Sequence, residues 1–210
     1  LKNLYIVGAG GFGRELFAWI KQHPDYERSW RIAGFIDDNP RALDTFDYPV
    51  GIEGSIQDHQ PSQENCYICA IGTPAIKKLV CESLEAKGAE FISFIHPSVI
   101  IGANSKLGRG VVLCPRVTLT SDVSIGNFAL INCHSSAGHD VQVSDWVTVS
   151  GHCDLTGGCL IGEAAFLATG VRIIPNSSIG AFAFVGAGSV VIKSVAANAK
   201  VFGNPAKVFG

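Results

Sequence analysis

The sequence predicts a small Rossmann-like parallel α/β domain over residues 1–94, followed by an all-β left-handed parallel β-helix over residues 95–210. Three observations predict it. An aliphatic residue recurs every six positions through the second half. Strand-like and helix-like segments alternate through the first half. A glycine-rich loop joins the first strand to the first helix.

The repeat runs from Ile95 to Val191 in steps of six, and sixteen of its seventeen positions are Ile, Leu or Val, the exception being Ala137. The position after the aliphatic is often glycine, as at Gly102, Gly108, Gly126, Gly138, Gly162, Gly180 and Gly186. The position four after it is always Val, Ala, Ser or Cys, from Val99 to Val195. A helix has a period of 3.6 and a half-buried strand a period of two, so neither sustains this pattern. Three short sides do, turning a triangular coil of eighteen residues with the aliphatics inward. Coils stacked at strand spacing, about 4.8 Å, then bury one continuous core. The small residue after each aliphatic is expected to turn the corner. The run needs no insertion and yields between five and six coils.

In the first half, Leu4 to Val7 reads as a strand and Arg14 to about Gln22 as a helix. Arg31 to Ile36 reads as a second strand ending in Asp37 and Asp38, and Tyr67 to Ile71 as a third ending at Gly72. Thr73 caps a helix running to about Lys87, with Pro74 at its first position, where the missing N–H costs nothing. Ala89 to Phe94 is expected to close the sheet. Alternation of this kind specifies a parallel sheet. The stretch from Asn39 to Asn65 shows no regular pattern.

Gly8-x-Gly10-x-x-Gly13 lies between a strand and a helix, where glycines let a phosphate approach the helix N-terminus. Asp37 and Asp38 end the second strand, where a ribose hydroxyl is bound in dinucleotide folds. The domain is about half a full dinucleotide fold, and the rest of the chain is a β-helix. A nucleotide-sugar site therefore fits better than hydride chemistry.

Composition excludes several classes. The net charge is −2 with 16% charged residues, and no Lys/Arg run invites nucleic acid. Apolar stretches are strand-length, so no membrane span is expected. Leu1 to Phe17 lacks the layout of a signal peptide. The chain contains no Met, so Leu1 is not read as an initiator. Seven cysteines, an odd count that mostly falls at strand positions, suit reduced, buried thiols in a cytoplasmic protein.

His134, His139 and His152 lie in the coils. His134 and His152 are eighteen apart and are expected to stack on the surface. His139 precedes Asp140, and an imidazole steadied by a carboxylate suits a general base near neutral pH. Acyl transfer from a thioester needs such a base and no metal.

With these features in hand, the whole chain resembles the sialic-acid O-acetyltransferase and nucleotide-aminosugar N-acetyltransferase family (NeuD/PglD-like) of hexapeptide-repeat acyltransferases. The resemblance rests on Gly8-Ala9-Gly10-Gly11-Phe12-Gly13, Ile36-Asp37-Asp38, Ala70-Ile71-Gly72, Phe94-Ile95-His96-Pro97, Ile131-Asn132, His139-Asp140 and Gly203-Asn204-Pro205-Ala206-Lys207. It implies a cytoplasmic homotrimer acting in surface-glycan biosynthesis, with sites between neighbouring β-helices. It implies acetyl-CoA as co-substrate, a nucleotide-linked amino sugar as acceptor, and no metal. His139 would be the base, supported by Asp140, with Asn132 in the same pocket. Acceptor contacts would fall on Gly10, Gly11, Phe12, Asp37, Asp38 and Gly72. Acetyl-CoA would pass Gly157, Thr169 and Ala187, with Lys207 near its phosphates.

Two positions depart from the family pattern. Many members carry His where this chain has Phe12, and some carry a second His where it has Thr148. The Thr148 hydroxyl is expected to donate to the acyl carbonyl in its place. Three other readings stay open at this point. O-acetylation of a sugar or sialic acid uses the same residues. A trimeric β-helix zinc hydratase of the carbonic anhydrase type shares the His134-x4-His139 spacing, with Ser98 or His96 near the third ligand's place. A non-catalytic nucleotide-sugar binding trimer shares the fold.

Overall fold

The structure, a computed structural model, describes residues 1–209. The α/β domain is a three-stranded parallel sheet of order β2-β1-β3, built from β1 (Lys2–Val7), β2 (Trp30–Ile36) and β3 (Asn65–Cys69). Helix α1 (Gly11–Ile20) follows β1, and α2 (Pro74–Ala86) follows β3. Leu16, Phe17 and Ile20 bury the inner face of α1, and Val80, Cys81 and Leu84 that of α2. Pro74 takes the first position of α2 as expected, although the Thr73 side chain makes no capping bond. Because β2 and β3 flank β1, the strand order reverses at β1, and a crevice opens beyond its C-terminal end.

Ala89–Phe94 does not add a fourth strand to this sheet. Phe91 makes a single bridge to Tyr67, and Phe94–Ile95 instead opens the β-helix by pairing with Val112–Leu113. The chain leaves one sheet and starts the next within four residues.

The β-helix has three parallel faces. The first stacks strands at 94–95, 112–113, 130–131, 148–149, 166–167 and 184–185, then Lys200–Phe202. The second runs from Ile100–Ile101 to Val190–Val191, and the third from Lys106–Leu107 to Ser178–Ile179. Each strand pairs with the one eighteen residues on, as Leu130 with Thr148. After Val191 the last coil shortens by two residues, so Phe184 pairs with Lys200 and Ile179 with Val195. Leu113, Leu119, Val149, Leu155 and Leu167 are buried in the core, with Val111, Val123, Val147 and Cys159 between them. Burying each such aliphatic contributes about 1.5–3 kcal/mol, so the ladder rests on many equal steps.

The glycines after the aliphatics serve a different purpose from the one expected. A Cβ on Gly102 would overlap the Thr120 carbonyl, and one on Gly138 would run into the Gly157 backbone. These positions are small because the next coil's backbone presses on them. The left-handed position comes two residues later, with φ near 60°, and is taken by Asn or Asp at Asn104, Asp122, Asp140 and Asn176 and by other side chains, such as Phe128, Trp146 and Ala164, elsewhere. Asn and Asp tolerate that conformation better than most side chains.

The α/β domain covers the outer surface of the first face. Val112, Cys114 and Leu130 share a buried cluster with Leu16, Phe17 and Ile68. Phe128, Trp146 and Ala164 share another with Val80, Leu84 and Phe91. The Phe128 and Trp146 rings stack with centroids 4.4 Å apart. The cover ends at the coil of Phe166, which stacks on Phe184 in the open. All seven cysteines are free thiols, and burial pushes the Cys66 and Cys153 thiols up to about 11. No helix among the described residues is long and apolar enough to cross a membrane.

Candidate active site

His139 and Asp140 form the corner between the second and third faces. The His139 Nδ1 lies 2.8 Å from Asp140 Oδ2, and both side chains are well exposed. Beside an ionised carboxylate, Nδ1 carries the ring proton, which leaves the Nε2 lone pair free to accept another. Asp140 sits at φ 62°, and its N–H donates to the Ser121 carbonyl one coil away. The left-handed turn is what brings its carboxylate back to the preceding ring. Below the ring, Gly157 leaves the space Nε2 occupies, since a Cβ there would overlap the imidazole. The Gly158 N–H donates to the His139 carbonyl at 2.8 Å and fixes the corner from underneath. The structure thus brings His139, Asp140 and Gly157 together.

Asn132 stands elsewhere. It follows the first face, at the opposite edge of the second face from His139, and its Oδ1 accepts from the Cys133 N–H at 2.6 Å. Thr169 and Ala187 share that first corner, exposed and stacked one coil apart. Within one chain, then, Asn132 does not join His139 in a pocket. His134 and His152 lie on the same corner as Asn132, and their rings stack face to face at 4.8 Å. Lys207 is exposed on the final hairpin against Phe202.

Thr148 is a correction. It is buried, and its hydroxyl accepts from Lys77 Nζ of α2 at 3.0 Å, which places it beneath the α/β domain and out of reach of an acyl group. The cause is register: Val149 points into the core, so Thr148 points outward onto the face that the α/β domain covers. Lys77 also donates to the Val147 carbonyl at 3.1 Å. Burial pulls the Lys77 pKa down to about 8, and the neighbouring Cys69 and Cys81 thiols offset this only in part. Nothing in the spacing of residues flagged Lys77. The outward column Val112, Leu130, Thr148 was the available signal, because an exposed face would not be so apolar.

The glycine loop divides its residues between turn and opening. Gly8 has φ 103°, and a Cβ on Gly13 would overlap the Gly8 carbonyl oxygen, so these two make the turn and let α1 approach. Gly10, Gly11 and Gly72 face open space at the end of β1 and β3. Asp37 holds the loop: Oδ2 accepts from the Ala9 N–H at 2.7 Å and Oδ1 from the Asn39 N–H at 2.8 Å. Asp38 is exposed and accepts from the Ile56 N–H at 2.8 Å. Phe12 is half-buried, edge-on to Trp19.

His96 has both ring nitrogens engaged, Nδ1 by Ser98 at 2.8 Å and Nε2 by Gln22 at 3.3 Å. It is therefore not placed as a third ligand beside His134 and His139, which stand at different corners.

Coils that end in a His–Asp corner, behind a phosphate-type glycine loop, define a hexapeptide-repeat acyltransferase with a nucleotide-binding front domain. Residues 3–84 match the PglD N-terminal domain family. The chain is 32% identical over 216 residues to a GDP-perosamine N-acetyltransferase of Escherichia coli O157:H7, covering 98% of this chain and 96% of that protein. The solved structure of PerB from Caulobacter crescentus in complex with CoA and GDP-perosamine superposes with a TM-score of 0.87 at 27% identity, covering 100% of this chain and 98% of that one. The acetyltransferase domain of PglB from Neisseria gonorrhoeae FA1090 shares the fold over 100% of both chains, with a TM-score of 0.90 and 22% identity. The chain belongs to the PglD-type family of β-helix sugar N-acetyltransferases, and the hydratase and non-catalytic readings fall with that finding.

Proposed function

We propose that the protein transfers the acetyl group of acetyl-CoA to the amine of a nucleotide-linked amino sugar. The observation that carries this is the His139–Asp140 pair at 2.8 Å, with Nε2 set over Gly157. As the sugar nitrogen bonds to the thioester carbon and the carbon–sulfur bond breaks, His139 Nε2 takes the proton the nitrogen loses. Proton removal by a positioned base is worth about two to four powers of ten in rate, and Asp140 supports it by keeping Nδ1 protonated and steadying the imidazolium. The open backbone at Gly10, Gly11 and Gly72, with Asp38 beside it, supports the acceptor's nucleotide, and Phe12 borders it. Asp37 serves by holding the loop.

His139 and Gly157 occupy one corner of the prism, and Asn132, Thr169 and Ala187 another. A pocket that uses both sets takes two copies of the chain, which supports a homotrimer with sites between neighbouring coils. Acetyl-CoA would then run between those corners, with Lys207 reaching its phosphates. The reduced thiols support a cytoplasmic location.

The test is thiol release from acetyl-CoA against a panel of GDP- and UDP-linked 4-amino sugars. Turnover with a nucleotide-linked amino sugar, and none with the free sugar, is expected. Release that is indifferent to the nucleotide contradicts the reading.

A further inference from the structure

We propose that the C-terminal end of the β-helix is a docking face for an anionic phospholipid surface, so that the protein lies against a membrane without spanning it.

The charge of the chain is unevenly divided. No Asp or Glu follows Glu163, whereas Arg172, Lys193, Lys200 and Lys207 do, in a protein of net charge −2. The last coil and the final hairpin are therefore a cationic end on an otherwise acidic molecule. Lys193 and Lys200 are exposed, and neither has an acid partner among the described residues. Lys207, proposed above for the CoA phosphates, is not needed for this.

The same end is apolar where a solenoid ordinarily is polar. A terminal repeat has no next coil to cover it, and a polar outer surface is what keeps it soluble. Here Phe182 is 51% exposed, Phe202 56%, Phe209 46% and Ile192 44%. Phe182 stands at the corner between the third and first faces and Ile192 at the corner between the second and third. Phe202 and Phe209 meet edge to face on the hairpin that closes the first face. Phe128 and Trp146 hold the same corner as Phe182 in earlier coils and are buried under α2, whereas Phe182 lies past the end of that cover. The lysines alternate with these side chains: Lys193 follows Ile192, and Lys200 pairs with Phe184, two residues from Phe182.

This distribution selects the occupant. Cations interleaved with apolar side chains around one end fit a plane in which anionic headgroups overlie hydrocarbon. A second copy docked end to end would set these lysines against their own equivalents. A nucleic acid would need its cations in one stripe, and these stand at separate corners. His139 precedes Lys193 by three coils, about 14 Å at strand spacing, so a docked end leaves the His–Asp corner clear of the surface.

Co-sedimentation of the whole protein with lipid vesicles tests this. Vesicles of phosphatidylcholine with about one-third phosphatidylglycerol are expected to bind the protein at least about tenfold better than phosphatidylcholine alone, and about 500 mM salt should release it. Lys193→Gln with Lys200→Gln is expected to weaken that binding about tenfold or more. Phe182→Asn with Phe209→Ser should weaken it by a similar factor, since Asn suits the φ of 58° at Phe182 and both rings are exposed. Thiol release measured without vesicles should match wild type in both double variants, which shows that they fold. No binding to the anionic vesicles at low salt overturns the proposal, as does equal binding to both lipid compositions. Undiminished binding by either double variant overturns it too. Sedimentation of the protein without vesicles, lost in Phe182→Asn, would assign the face to a second copy instead.

Discussion

The coils and the α/β domain hold their shapes in opposite ways. In the coils one contact recurs: Leu113, Ile131, Val149 and Leu167 stack in a column on the first face, each doing what its neighbours do. In the α/β domain single contacts decide the geometry. Gly13 against Gly8, Asp37 on Ala9, and Lys77 on Thr148 have no counterparts to share their task. The site uses both kinds. His139 stands on the repetitive scaffold, whose register fixes it, and the acceptor's nucleotide side stands on singular contacts that can be varied without disturbing the coils.

Substitutions at singular contacts should therefore cost most. Gly13→Ala puts a methyl against the Gly8 backbone, which cannot yield, and should destabilise by about 3 kcal/mol in denaturant unfolding. A loss below about 1 kcal/mol would show that α1 can shift away.

Lys77 should make stability depend on pH. Its folded pKa of about 8 lies below the ordinary 10.5, so between these values the unfolded chain holds a proton that the folded chain lacks. Stability then rises with pH across that window, by about 2 kcal/mol from pH 8 to 10, and the cost is fully present below pH 8. Lys77→Met should abolish this rise relative to wild type. Parallel pH profiles of the two proteins would contradict the account.

Gly157→Ala tests a site residue on the scaffold. The clash falls on a mobile side chain rather than on backbone, so melting should change little. The displaced ring should lower kcat about tenfold, or about 1.4 kcal/mol. A large drop in melting temperature would reverse that reading. The smallest effect is expected for His134→Ala, within about 0.5 kcal/mol in stability, because the His134–His152 stack is exposed.

The same contrast decides what was legible in the sequence. The coil register, the core column, the histidine stack and the His139–Asp140 corner all follow from counting in sixes and eighteens. The role of the small glycines was misread, because counting does not distinguish a corner from a position pressed by the next coil. Thr148 was misplaced for a related reason: a spacing of nine from His139 does not say which face a residue points from, whereas its column with Val112 and Leu130 does. Asn132 and His139 stand at opposite edges of the second face, so counting along one chain does not show whether they share a pocket, which takes a neighbouring copy. The stretch from Asn39 to Asn65 could not be read, since its folding depends on non-periodic contacts such as Arg14 over the Phe46 ring and Asp38 on Ile56.

The most direct test of the proposed chemistry is kcat/KM for thiol release by His139→Ala, with a GDP-linked amino sugar that wild type turns over. The account predicts a loss of about a hundredfold or more, with acetyl-CoA affinity and melting temperature unchanged. A rate within a fewfold of wild type would contradict it.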